Sequence, residues 1–184
     1  MKKTIFYFII ISMFFFNKNI NANDNRTLYE FSFNDVDGKK YLLSQHKNKV
    51  VLLVNVASQC GFTKQYADLQ TLWDKYKSKN FVVIGVPSND FGNQEPGTNA
   101  EIKSFCETNF NINFPIMEKV TVKGKNAHPV YLWAKESYGS ATEPKWNFHK
   151  ILIDKKGKIN DTFISTTNPQ SEKVVKKIEE LINN

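Results

Sequence analysis

The sequence predicts an α/β domain in which a central mixed β-sheet is flanked by helices. Two nearly all-apolar segments, residues 50–56 and 81–86, have the character of strands buried on both faces. A segment with the apolar spacing of a helix lies between them, and a crossover of this kind makes its two strands parallel neighbours in one sheet. Turn signals at Asp37-Gly38 and in the Lys-Lys-Gly segment at 155–157 add two antiparallel hairpins.

Length and composition agree with a single domain. The chain has 184 residues, of which 41% are hydrophobic and 23% charged, enough to build one sizeable core. Its formal net charge of +7 is not concentrated on a basic face with stacking aromatics, so nucleic-acid binding is not indicated. Two cysteines are too few for a disulfide scaffold or a structural zinc site.

The first 22 residues predict a secretory signal peptide. A basic start precedes an apolar run over residues 5–16, and the segment ends on Ala22, a small residue of the kind that signal peptidase requires. The run is shorter than the roughly 20 residues that cross a bilayer, so a cleaved signal is favoured over an uncleaved anchor. We expect residues 23–184 to be exported to the periplasm or the cell exterior, without stable membrane insertion.

The exported domain opens with a predicted β-hairpin. Apolar and polar residues alternate from Leu28 to Phe33, and the chain can return as a second strand over Lys40 to Leu43. After the first buried strand, helical spacing relates five apolar residues, Tyr66, Leu69, Leu72, Trp73 and Tyr76.

The second half of the domain contains three further helices and the second hairpin. Thr98 and Glu101 form a capping box at the start of a helix that carries Cys106, and a short helix follows over Pro129 to Lys135. Strands at 149–154 and 158–164 form the hairpin. A final amphipathic helix contains Val174, Val175, Ile178, Leu181 and Ile182. A thioredoxin-type arrangement is the simplest fold for this order of elements.

Cys60 is the first candidate for chemistry. It follows a buried strand and precedes Gly61 and a predicted helix, where backbone N–H groups and the helix dipole favour the anionic thiolate. Position 63 is Thr, so the usual dithiol motif of thiol exchangers is missing. Placement alone leaves open a buried or disulfide-bonded structural cysteine.

Other candidates also have ordinary structural readings. Cys106 shares a helix side with Ile102 and can be a buried thiol. Gln94 and Asn147, taken singly, are polar loop residues, and Trp146 is a core aromatic. The three histidines, His46, His128 and His149, show no metal-ligand spacing and are read as surface or structural residues.

Three sequence blocks together resemble the glutathione peroxidase family. They are Asn-Val-Ala-Ser-Gln-Cys-Gly-Phe-Thr at 55–63, Phe-Gly-Asn-Gln-Glu-Pro-Gly at 91–97 and Trp-Asn-Phe at 146–148. The blocks occur in the order of the family, with Phe-Pro-Ile-Met at 114–117 between the last two. The resemblance extends over nearly all of Leu28 to Ile182.

The resemblance implies a thiol peroxidase with a thioredoxin-like fold. Cys60 matches the peroxidatic position, and Gln94, Trp146 and Asn147 match the other members of the catalytic tetrad. A thiolate that attacks a peroxide oxygen becomes a sulfenic acid, while amide and indole N–H groups stabilise the charge that develops. This chemistry requires no metal or other cofactor.

Cys106 matches the resolving cysteine of family members that use thioredoxin-like reductants. The implied step is its attack on the Cys60 sulfenic acid, which gives a Cys60–Cys106 disulfide that a thioredoxin-like dithiol, or alternatively glutathione, reduces. If the sulfurs start far apart, the helix of Cys106 must open locally. The short segment between Tyr131 and Trp146 leaves no room for the loop through which tetrameric members assemble. A monomer or weak dimer is expected, with a site open to bulky lipid hydroperoxides.

Two other interpretations stay open at this level. One is a non-catalytic, peroxide-sensing redox domain in which oxidation of Cys60 changes a partner surface. The other is a fold stabilised by a permanent disulfide, which predicts a large loss of stability on reduction.

Overall fold

The structure is a computed structural model that describes residues 25–184. The predicted signal peptide, residues 1–22, lies outside the described residues. Within the described part of the chain, the strands are β1 (Ser32–Asn34), β2 (Lys40–Leu42), β3 (Val50–Val56), β4 (Phe81–Pro87), β5 (Lys150–Ile153) and β6 (Ile159–Phe163). The α-helices are α1 (Gln65–Tyr76), α2 (Asn99–Phe110), α3 (Pro129–Tyr138) and α4 (Glu172–Asn183). Short 3-10 helices cover Leu28–Glu30, Leu43–His46 and Ser140–Thr142.

Four strands form the central sheet in the order β4-β3-β5-β6. The crossover through α1 makes β3 and β4 parallel, with Val50 opposite Phe81, whereas β5 pairs antiparallel with both β3 and β6. The β1–β2 hairpin is a separate two-stranded sheet. This mixed, helix-flanked sheet confirms the predicted thioredoxin-like α/β class and the N-terminal hairpin.

The sheet has an apolar core on each face. Successive side chains of β3 point to opposite sides: Leu52 and Val54 pack with α1, α2 and α4, while Val51 and Leu53 pack with α3 and the segment around β1 and β2. All seven residues of β3 are buried. Its carboxyl end therefore provides a rigid platform for the loop that follows.

The first strand begins later than the alternation at Leu28 to Phe33 predicts. Residues 28–30 form a turn of 3-10 helix, because the Glu30 carboxylate accepts a hydrogen bond from the Thr27 N–H at 2.8 Å. The Leu28 N–H donates to the Gly157 carbonyl at 2.9 Å, and its side chain is fully buried. A turn that inserts Leu28 into the core thus replaces the first part of the predicted strand.

Lys150 is a buried cation in the middle of this fold. Its ammonium donates to the Gln65 side chain and, at 2.6 Å, to the Thr167 carbonyl. Burial lowers the pKa of Lys150 to about 7, although the charge of Asp68 opposes the shift. Because the unfolded chain holds the lysine proton up to a higher pH, it binds more protons than the native state between about pH 7 and pH 10. Stability is therefore expected to rise with pH in that window.

Replacing Lys150 by Met is expected to remove this dependence. Between pH 7 and pH 9, the free energy of unfolding of the wild-type protein should increase by about 2 kcal/mol relative to that of Lys150→Met. Denaturant unfolding at several pH values measures the difference. Lys156→Met, which alters an exposed lysine in the β5–β6 turn, is the control and should follow the wild-type curve. Parallel curves for Lys150→Met and the wild type would contradict the expectation.

Candidate active site

Cys60 lies in a tightly turned loop between β3 and α1. The Thr63 hydroxyl accepts a hydrogen bond from the Cys60 N–H at 3.0 Å and donates to the Ala57 carbonyl at 2.9 Å. The Phe62 N–H donates to the Cys60 sulfur at 3.4 Å. The side chain at position 63, where a dithiol motif would have its second cysteine, therefore builds the loop that presents the sulfur.

The predicted position of Cys60 at a helix N-terminus needs correction. Consecutive turns cover the residues after Cys60, and α1 begins only at Gln65. The N–H group directed at the sulfur thus belongs to a turn rather than to the first turn of the helix. The sulfur still accepts a hydrogen bond from a backbone N–H, but the loop supplies that donor.

The segment that contains Gln94 is fastened to this loop. The Gln59 N–H donates to the Gln94 carbonyl at 3.0 Å. The next residue, Glu95, accepts hydrogen bonds from the N–H and the hydroxyl of Ser58 at 2.9 and 3.1 Å. Gly92 and Asn93 both have positive φ angles, 64° and 53°, which turn the chain toward the Cys60 loop.

Asn147 connects a third segment to the same place. Its side-chain amide is fully buried and donates to the Gln94 side-chain oxygen at 3.0 Å. The Asn147 side-chain oxygen has no hydrogen-bond partner among the described residues. The structure therefore brings Gln94 and Asn147 into direct contact and joins the Gln94 segment to the Cys60 loop.

Trp146 precedes Asn147 in the chain and lies at the protein surface. Its side chain is 40% exposed, and its ring lies 5.9 Å from that of Phe91, centroid to centroid. The reading of Trp146 as a core aromatic is therefore wrong. With Phe91, Pro144 and the two lysines Lys123 and Lys145, it lines a surface groove of about 540 Å³.

Asn55 holds the 146–149 segment in position, a role that the sequence analysis missed. The Asn55 side chain donates to the Trp146 carbonyl at 3.1 Å and accepts from the His149 N–H at 3.0 Å. Its carbonyl also accepts from the N–H of Phe148, which has a φ of 63°. The sequence did contain a signal for this role, because Asn55 is a polar residue inside an otherwise apolar strand. A buried amide needs hydrogen-bond partners.

Cys106 is buried on α2. The thiol is 1% exposed, compared with 9% for Cys60, and both cysteines are free in this structure. Burial raises the pKa of Cys106 to about 11; the Tyr66 hydroxyl lowers it, and the charges of Glu95 and Glu107 raise it further. The Tyr66 hydroxyl makes no hydrogen bond of good geometry among the described residues, but it lies close enough to influence the thiol.

The helix that carries Cys106 is fixed at both ends. The predicted capping box is confirmed, because Thr98 accepts from the Glu101 N–H while Glu101 accepts from the Thr98 N–H. The Lys119 ammonium donates to the Gly97 carbonyl at 2.6 Å, just before the helix. At the other end, Asn111 caps α2 in the left-handed conformation with a φ of 50°.

The histidines have local structural contacts. The His46 ring is paired with the Tyr41 hydroxyl at 2.7 Å, and the His149 ring with the Thr162 hydroxyl at 2.7 Å. His128 accepts from the Val130 N–H at the start of α3. Within residues 25–184, no group of three His, Cys, Asp or Glu side chains is placed to hold a metal ion. In the same residues, no helix has the length and apolar character needed to cross a membrane.

Comparison with known proteins gives the site its family context. The glutathione peroxidase family model matches residues 28–135. The chain is 42% identical over 171 residues to a hydroperoxy fatty acid reductase of Synechocystis, with 89% of this chain and all of that protein covered. It is 45% identical over 157 residues to the glutathione peroxidase-like peroxiredoxin HYR1 of Saccharomyces cerevisiae, with 84% and 95% covered.

A solved structure agrees with these relatives. The crystal structure of GPX1 from T. cruzi superposes with a TM-score of 0.68 at 36% identity, and covers 86% of this chain and 98% of that one. The family match therefore extends to the three-dimensional arrangement of the sheet and helices. From these matches, the chain belongs to the glutathione peroxidase family and is a peroxidase with a thioredoxin-like fold.

Proposed function

We propose that this protein reduces hydrogen peroxide and organic or lipid hydroperoxides through a sulfenic acid on Cys60. The observation that carries the proposal is the hydrogen-bonded assembly of the Cys60 loop with two other segments, in which Asn147 contacts Gln94 and the Gln94 carbonyl accepts from the Gln59 N–H. The Cys60 thiolate attacks the terminal peroxide oxygen and breaks the O–O bond. Cys60 becomes the sulfenic acid, and the departing oxygen takes up a proton to leave as water or an alcohol.

The neutral polar residues stabilise charge in this step. Amide groups of Gln94 and Asn147 and the indole N–H of Trp146 are donors that are not themselves titrated at neutral pH. Such donors act most strongly when they are already held in place before the reaction. The partly buried Asn147–Gln94 hydrogen bond supports this assignment, because it fixes the orientation of both amides.

Cys106 is assigned the resolving role. Its thiol attacks the sulfur of the Cys60 sulfenic acid, the S–O bond breaks, and water leaves as the disulfide forms. Because Cys106 is almost fully buried on α2, this step requires local opening of the helix. A thioredoxin-like dithiol then reduces the disulfide, with glutathione as the alternative reductant.

The substrate assignment rests on a relative and on the groove that Trp146 lines. The Synechocystis relative is named for the reduction of hydroperoxy fatty acids. Here the exposed Trp146 and the largely buried Phe91 line an open groove that can receive an aliphatic chain. A non-catalytic, peroxide-sensing domain is not favoured, since both relatives are named as reductases or peroxiredoxins.

One equivalent of hydroperoxide is expected to oxidise both cysteines of the reduced protein. Intact and peptide mass spectrometry should show the loss of two hydrogens and a Cys60–Cys106 link. Cys106→Ser should stop at the Cys60 sulfenic acid, whereas Cys60→Ser should not react. If Cys60 stays reduced in the wild type, the proposed function is wrong. If the sulfenic acid forms and Cys106 stays free, the resolving thiol is external.

Loss of the Asn147 donor is expected to slow the peroxide step. In Asn147→Leu, the second-order rate constant for oxidation of Cys60 should fall by about 100-fold, as for the loss of one preorganised donor. Stopped-flow measurement on the Cys106→Ser background isolates this step. Asn126→Leu, a change at an exposed position, is the control and should keep the rate. Equal rates for the two variants would remove Asn147 from the mechanism.

We also propose that the protein acts outside the cytoplasm as a monomer or weak dimer. The basic start, the short apolar run and Ala22 support export with cleavage after residue 22. Expression of the full chain in a bacterial host should give a periplasmic protein whose N-terminus is Asn23, as read by mass spectrometry. A cytoplasmic protein that keeps Met1 would contradict export, whereas changing Ala22 to a bulky residue should block cleavage.

A further inference from the structure

Lys119 connects the segment after Gln94 to the edge of the central sheet. Its ammonium donates to three successive carbonyls, those of Glu95, Pro96 and Gly97, at 3.1, 3.4 and 2.6 Å. An ammonium group has three N–H donors, so a single lysine can hold three carbonyls of one short stretch. The conformation of this stretch therefore depends on a side chain that lies 22 to 24 positions further along the chain.

The backbone of Lys119 is itself held in place. Its N–H donates to the side-chain oxygen of Asn99, the first residue of α2, at 3.0 Å. The next N–H, that of Val120, donates to the Pro87 carbonyl at the end of β4, also at 3.0 Å. All seven residues of β4 are buried. The ammonium of Lys119 thus reaches the three carbonyls from a base that is fixed to the central sheet.

The stretch that the ammonium holds follows Gln94 directly. The Gln94 carbonyl accepts from the Gln59 N–H, and its side-chain oxygen accepts from the Asn147 amide. The donor that Gln94 has left for the reacting groups is therefore its amide NH₂. Gln94 is one peptide bond away from Glu95, so a displacement of Glu95 moves Gln94 relative to the Cys60 loop as well.

Lys119 also acts on the Glu95 side chain, through its charge. The Glu95 side chain is 1% exposed, and its carboxylate accepts hydrogen bonds from the N–H and the hydroxyl of Ser58. Burial raises the pKa of this carboxyl, whereas the Ser58 hydrogen bonds and the charge of Lys119 lower it. The lysine therefore holds the Glu95 carbonyl and also favours the ionised carboxylate that binds the loop of Cys60.

We propose that Lys119 is a positioning residue for the peroxide step and that it acts through Gln94. The proposal rests on the peroxidase function above. With the three carbonyls held, the Gln94 amide stays beside the Cys60 loop, and a donor that is placed before the reaction stabilises developing charge most strongly. The three carbonyls precede the first residue of α2, so opening of the helix around Cys106 does not require these hydrogen bonds to break.

A double-mutant cycle with Gln94 tests the role. Stopped flow measures the second-order rate constant for oxidation of Cys60 by hydrogen peroxide on the Cys106→Ser background. The variants are Lys119→Met, Gln94→Leu and the combination of both, and Lys125→Met, at an exposed lysine, is the control. If Lys119→Met does not fold, Lys119→Gln, which shortens the side chain and removes its charge, takes its place in the cycle.

Lys119→Met alone should lower the rate constant by about tenfold. This loss is smaller than the roughly 100-fold that follows a displacement of about 1 Å, because two other hydrogen-bonded contacts of Glu95 remain. In the Gln94→Leu background, the same change should lower the rate constant by less than about twofold, since residues that act through one group are not additive. Lys125→Met should keep the rate constant of the parent protein.

Four outcomes would overturn the proposal. A rate constant of Lys119→Met within about twofold of the parent would remove Lys119 from the peroxide step. An undiminished loss in the Gln94→Leu background would show that Lys119 supports the fold in general and does not act through Gln94. An equal loss in Lys125→Met would assign the effect to the removal of any positive charge. An unchanged rate constant in Gln94→Leu alone would leave Lys119 without a group to position.

Failure of the peroxidase function gives a different result. In that case Cys60 of the parent protein, with Cys106→Ser as its only change, would not be oxidised by hydrogen peroxide at all. The cycle therefore distinguishes an error in the role of Lys119 from an error in the function on which that role rests.

Discussion

The hydrogen bonds of Asn55 are the constraint on which the site depends. This residue stands next to last in the central strand β3, where every other side chain is apolar and buried. Its amide binds both Trp146 and His149, so the Trp146-Asn147 segment is tied to the strand that leads into Cys60. Buried polar groups are costly when unpaired. An Asn55 amide without partners would destabilise the folded state. The 146–149 segment is therefore held in the position that provides these partners.

Hydrogen bonds of polar groups also make the other connections between the segments of the site. The Cys60 loop and the Gln94 segment are joined through Ser58, Gln59 and the buried Glu95 rather than through apolar packing. A polar network of this kind is strong when all its members are satisfied and weak when one is removed. It therefore holds the Cys60 loop and the Gln94 segment in place through hydrogen bonds.

Much of the fold follows from local sequence patterns. The buried strands, the capping box of α2 and the amphipathic final helix are set by residues close to each other in the chain, and the structure confirms them. The start of β1 was wrong because Leu28 is drawn into the core by a contact with Gly157, far away in sequence. The predicted start of α1 was wrong because the Thr63 hydroxyl bonds to backbone groups of the preceding loop. Such side-chain hydrogen bonds compete with helix formation, and the spacing of apolar residues does not reveal them.

The candidate site was predictable to a similar extent. Family resemblance identified Cys60, Gln94, Trp146 and Asn147, and the structure brings Gln94 and Asn147 into contact. Asn55 and Glu95 were missed, although both lie in the recognised blocks. Their importance comes from partners about 37 to 94 positions away in the chain, so it becomes visible only when the tertiary structure is known.

The burial of Cys106 couples the thermal stability of this protein to the rate at which α2 opens during turnover. Cys106 is one of the residues that fill the core beneath α2, together with Ile102 and Tyr66. In the proposed cycle, every turnover removes this piece of the core and then restores it. A sequence with tighter packing under α2 would resist heat better but would open more slowly, whereas looser packing would have the opposite effect. Adaptation to temperature in this chain is therefore expected to act on the residues under α2 as much as on those that contact the peroxide.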